Sequence, residues 1–66
     1  MSLAANARAL RIKRGYSQET LATAAELPRS VISRLERGQH EPRLSTLIAI
    51  SDALDVTLAA LLVGLL

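Results

Sequence analysis

Residues 17–38, SQETLATAAELPRSVISRLERG, constrain this chain more than any other stretch. They read as two short helices joined by a tight turn, with Ser17 placed to cap the first. On a 3.6-residue wheel, residues 29–37 separate into two faces. Val31, Ile32 and Leu35 share one arc; Arg29, Ser30, Ser33, Arg34 and Arg37 share the other. Three arginines and two small hydroxyls on the outer side of one short helix are poorly explained by packing. Such a face suits a helix in the major groove of DNA, where arginine forks reach guanine edges and phosphates.

The flanking segments read as three more helices, giving an all-α, five-helix domain. Residues 3–14 form the first, capped by Ser2, with Leu3, Ala7 and Leu10 as a thin apolar stripe and Gly15 as a left-handed stop. Tyr16 and Leu21 are spaced as a hydrophobic staple at the entry to the second helix. Its inner face is Leu21, Ala22 and Ala25, and the small Ala22 permits close approach of a neighbour. The third helix, about 29–37, stops at Gly38, and Pro42 blocks continuation through the loop 39–43. Leu47, Ile50 and Leu54 mark a fourth helix over about 44–54. Thr57 caps a short fifth, from Leu58 to about Val63, with Gly64 at its end.

Sixty-six residues make one domain, with no room for more. A core this small is marginal alone, so oligomerisation is a natural way to bury more surface. The absence of Phe and Trp leaves Leu, Ile, Val and Ala to build it. Without cysteine there is no disulfide framework. No basic region precedes an apolar run at the N-terminus, so a soluble, cytoplasmic and nucleoid-associated protein is expected. The charge is asymmetric: residues 1–43 hold all eight Lys and Arg against four acids, whereas 44–66 hold only Asp52 and Asp55. A basic front and an acidic, apolar back fit one face meeting a polyanion and the other meeting protein.

SQETLA, a turn, SVISRLERG, Pro42 and the later ALDVTLAALL occur in the order and spacing of the XRE-like (Cro/C1-type) helix-turn-helix family. The chain resembles that family from about Leu3 to Leu62. The family includes phage repressors and the controller proteins of restriction–modification systems. The resemblance implies a lambda-repressor-like fold, with the helix-turn-helix at about 17–38 and dimerisation through about 55–66. It implies base contacts from Arg29, Ser30 and Arg34. Val31 either touches a thymine methyl or packs at the core edge. Gln18, at the start of the second helix, is expected on the DNA backbone. Ser33, Arg37, Gln39 and Arg43 are further phosphate or minor-groove candidates. Arg11 and Glu36 occupy positions that family members join in an ion pair linking the first and third helices. Three departures stand out: Glu26 replaces the usual turn glycine, and Pro28 and Arg43 replace capping hydroxyls.

Other chemistries lack support. His40 is the lone histidine, so a zinc site is not expected, and no serine has a neighbouring base or phosphate loop. Neither an enzyme nor a cofactor or small-molecule ligand is expected. The tail LAALLVGLL is too short to span a bilayer, which takes about 20 residues. Its five leucines and one valine exceed what one short helix turns inward. Leu58, Leu61, Leu62 and Leu65 are therefore candidates for a two-fold dimer surface, or for packing on a further domain. The expected function is transcriptional regulation by a homodimer on a pseudo-palindromic operator, with RNA polymerase as a further partner for an activator. The alternatives are an antitoxin-like interaction module on the same fold and a non-specific DNA binder.

Overall fold

A computed structural model describes residues 2–39 and 41–65, so His40 lies outside the described residues. Five helices, and no strand among those residues, make up the chain: α1 (Leu3–Arg14), α2 (Gln18–Ala25), α3 (Arg29–Glu36), α4 (Leu44–Ala53) and α5 (Leu58–Leu61).

Local chemistry sets where the helices start. Ser2 Oγ accepts from the Ala5 amide at 3.1 Å, Ser17 Oγ from Thr20 at 3.0 Å, and Thr57 Oγ1 from Ala60 at 3.2 Å. Each satisfies an amide that has no partner inside its own helix. Helices α3 and α4 begin at Pro28 and Arg43 without a side-chain cap. At Pro28 the ring supplies part of the entry instead, holding φ at −62°.

The ends of α1, α2, α3 and α4 repeat one device. A left-handed residue follows each helix: Gly15, Glu26, Gly38 and Asp55, with φ of 79°, 57°, 72° and 56°. The next amide then reaches back five residues: Tyr16 to Arg11, Leu27 to Ala22, Gln39 to Arg34, and Val56 to Ser51. This is the Schellman closure, and it satisfies the last carbonyls of each helix. Tyr16, Leu27 and Val56, the residues that make three of these closures, also pack against the core. Those three turns are thereby tied down twice.

Ala7, Leu21, Ala22, Ile32, Leu35, Ile50, Leu54 and Leu61 form the buried cluster. The main helix contacts close a ring: α1 meets α3 and α5, α2 meets α3 and α4, and α4 meets α5. No element can shift without disturbing two others.

Two expectations about the C-terminal region need correction. Helix α5 stops at Leu61, not near Val63, and Asn6 takes carbonyls that have no intrahelical donor beyond it. Its Nδ2 donates to Leu61 O at 2.8 Å and Val63 O at 2.9 Å. The Leu65 amide turns to Leu62 O instead. Leu61, expected at a dimer surface, is fully buried inside the monomer and has no surface to offer a partner. The short helix places its central face against α1 and α4, and Leu61 lies on that face.

Candidate nucleic-acid interface

Helix α3 is held by its inner side. Ile32 and Leu35 are 0% and 2% exposed, and α1 and α2 pack along it. With that side fixed, the opposite side must face outward. Arg29, Ser30, Arg34 and Arg37 are exposed; Val31 and Ser33 lie half-buried at the two borders. Beyond the helix, Gln39 and Arg43 are exposed as well.

The electrostatics of this face follow from what the arginines lack. Among the described residues, only Arg11 and Arg14 have a carboxylate partner. Arg29, Arg34, Arg37 and Arg43 have none, so their charge and hydrogen-bond donors are available to a ligand. A planar guanidinium presents paired donors that match both guanine O6/N7 and phosphate oxygens.

A buried ion pair fixes the height and angle of the helix. Arg11 Nε donates to Glu36 Oε2 at 2.7 Å and Arg11 Nη2 to Glu36 Oε1 at 2.9 Å. Arg11 Nη1 donates in addition to the Tyr16 carbonyl at 2.8 Å. The Glu36 side chain is 3% exposed and that of Arg11 12%, so this is an interior fork rather than a surface contact. The hydrogen bond to Glu36 raises the Arg11 pKa above its ordinary value, against the opposing effect of burial. Gln18 joins the same group: its Nε2 donates to Glu36 Oε1 at 3.3 Å. One carboxylate therefore links the end of α1, the start of α2 and the end of α3.

The turn between α2 and α3 takes the left-handed conformation at Glu26 despite the missing glycine. Such a residue costs about 1 kcal/mol relative to glycine. The Leu27 amide still closes on Ala22 O at 2.9 Å, so the turn geometry survives both Glu26 and Pro28.

At the far end, Leu58 and Leu62 are half-buried, and Leu65 is 40% exposed. Val63, which the pattern of leucines did not single out, is 56% exposed. Asn6 was also missed. It is a polar residue between Leu3 and Leu10 on the apolar stripe of α1, and that position was the available signal. No helix among the described residues is long and apolar enough to cross a membrane.

This arrangement, an exposed polar helix set on a capped partner helix, defines a helix-turn-helix DNA-binding domain. A helix-turn-helix family profile matches residues 8–61. The immunity repressor protein of Bacillus phage phi105 is 36% identical over 61 residues, covering 92% of this chain and 42% of that repressor. The chain thus spans about two fifths of the length of that relative. Among solved structures, the restriction–modification controller protein C.AhdI from Aeromonas hydrophila superposes with a TM-score of 0.88. It is 37% identical, and the match covers 89% of each chain. The DNA-binding domain of the P22 C2 repressor superposes at 0.90, with 31% identity, covering 97% of this chain and 84% of that one. The chain belongs to the XRE-like helix-turn-helix family of DNA-binding transcriptional regulators.

Proposed function

We propose that this domain reads a pseudo-palindromic operator as a homodimer and so regulates transcription. The observation that carries the reading is the outer face of α3: exposed, unpaired arginines beside small hydroxyls, on a helix pinned from below by a buried ion pair. Arg29, Ser30 and Arg34 serve as base readers, with Val31 reaching a thymine methyl at the border. Gln18, Ser33, Arg37, Gln39 and Arg43 set register on the backbone. In this role Gln18 arrives already oriented by Glu36.

A pseudo-palindromic operator calls for two copies, one for each half-site. Half-sites one helical turn apart place successive major grooves about 34 Å apart. The longest dimension of one copy is 28 Å. The exposed apolar residues after α5, with Leu58 and Leu62 behind them, supply the surface for pairing. Occupancy then depends on protein concentration through coupled dimerisation and DNA binding. The C.AhdI neighbour is a controller protein and the P22 C2 and phi105 relatives are repressors, so regulatory proteins recur on this fold.

Selection of bound duplexes from a random pool, with Arg34→Ala run in parallel, tests this reading. The wild type is expected to enrich a palindrome, and the variant to lose preference at one symmetric position. Uniform, salt-sensitive binding of every duplex would indicate a non-specific binder. Absence of binding would indicate a protein partner.

A further inference from the structure

Asn6 has no part in the DNA-facing site, yet it is among the most buried polar side chains of the molecule, 4% exposed. Both hydrogens of its amide are used, one on Leu61 O and one on Val63 O, across 55 and 57 residues of chain. Those carbonyls lie where α5 runs out and intrahelical donors are no longer available. A helix of four residues has almost no stability of its own, so its position must come from outside. Asn6 supplies part of that position. It holds the chain so that Leu61 points in, at 0% exposure, while Val63 and Leu65 remain out, at 56% and 40%.

A shallow depression adjoins the exposed ridge, with Val63 at the border of both. Asn6, Ala9 and Leu10 of α1 line this groove together with Ala60 and Val63. A ridge and a groove side by side on one surface are what a two-fold contact requires, because each copy offers both halves. We propose that Asn6 is a positioning residue for self-association: its two hydrogen bonds let α1 set the shape of the apolar turn Leu62–Leu65, on which a second copy of this chain docks. This rests on the homodimer reading.

The test is the dimer dissociation constant, measured by sedimentation equilibrium where wild type and variant have equal helix content. Asn6→Ala is expected to raise it about tenfold, the scale set by losing buried hydrogen bonds that shape a contact. Amide chemical shifts of α2 and α3 should stay in place. A lower melting temperature with an unchanged dissociation constant would mean that Asn6 serves the monomer alone, and would overturn the proposal.

Asn6→Asp gives a second measurement should the alanine variant not fold. Its protonated carboxyl keeps one donor, whereas its carboxylate faces two carbonyl oxygens. Burial raises the pKa of such a group. The dissociation constant of the aspartate variant should therefore climb with pH across an interval where that of the wild type is flat. Parallel profiles would overturn the assignment. A wild type that stays monomeric would remove the homodimer reading and this proposal together. A dimeric wild type with unaltered variants would remove this proposal alone.

Discussion

Helix α1 is anchored twice, and the two anchors differ in kind. Arg11 and Glu36 tie it to α3 through a buried, doubly hydrogen-bonded ion pair. Asn6 ties it to the end of α5 through a neutral amide on two backbone carbonyls. The first sits beneath the face proposed to meet DNA, the second beneath the surface proposed to meet another copy. A charged anchor is unforgiving, because removing one partner strands the other charge in the interior. A neutral anchor leaves only unsatisfied dipoles. The molecule thus has its stiffest join under the recognition helix and a softer one under the C-terminal turn.

The largest effect expected from breaking this contrast is at Glu36. Glu36→Ala strands Arg11 and should cost about 3–5 kcal/mol, enough to unfold a marginal domain near physiological temperature. Circular dichroism melting checks this. Arg11→Ala should also melt lower, and the double variant should lose less than the sum of the two, since the buried charge is then gone from both sides.

Asn6→Ala should cost less, about 1–3 kcal/mol, because the two carbonyls lose their partner but no ion is stranded. For a domain of this size each kcal/mol moves the melting temperature by about 4–8 °C, so the two anchors are separable in one thermal series. If Asn6→Ala proves as damaging as Glu36→Ala, the two anchors do not differ in strength as their chemistry requires.

Arg34→Ala probes the surface that the first anchor supports. It should leave melting within about 0.5 kcal/mol of wild type, as for most exposed positions. Its cost appears in DNA discrimination instead, about 1–3 kcal/mol at one base pair, read from competition between operator and single-site variants.

The smallest effects concern the helix ends. Gly15 and Gly38 adopt positive φ freely, and a Cβ at either would meet nothing within 4 Å, so conformation alone favours glycine there. Glu26 and Asp55 adopt the same conformation with a side chain. Glu26→Gly should raise stability by a few tenths to about 1 kcal/mol, the relief of strain being partly offset by glycine's greater freedom when unfolded. Asp55→Gly should gain less, because aspartate tolerates the left-handed region better than glutamate. Equal shifts in the two melting curves would argue against a conformational origin.

Much of this architecture is legible in the sequence because its determinants are local. Ser2, Ser17 and Thr57 cap within three residues, and Gly15 and Gly38 stop their helices where expected. The division of α3 into Ile32 and Leu35 against the arginines follows from helical periodicity alone. The Arg11–Glu36 partnership spans 25 residues and rested on family resemblance. Asn6 lay open to the same periodicity argument, but its acceptors are backbone atoms with no sequence identity to reveal them. Leu61 illustrates the complementary failure: among clustered leucines, which one turns inward depends on where a four-residue helix is pinned. Asp55 was not singled out as left-handed because nothing in its neighbours marks it.

The single aromatic residue has a practical consequence. Tyr16 is the only strong near-ultraviolet chromophore in the chain, and it stands at the α1–α2 junction with the Arg14 guanidinium 5.6 Å from its ring centre. Its backbone carbonyl accepts from Arg11. Intrinsic emission is therefore a local reporter of the front half, sensitive to whatever disturbs the Arg11 fork or approaches the start of α2. The leucine-lined rear contains no chromophore, so pairing of two copies should proceed in optical silence and be followed by mass.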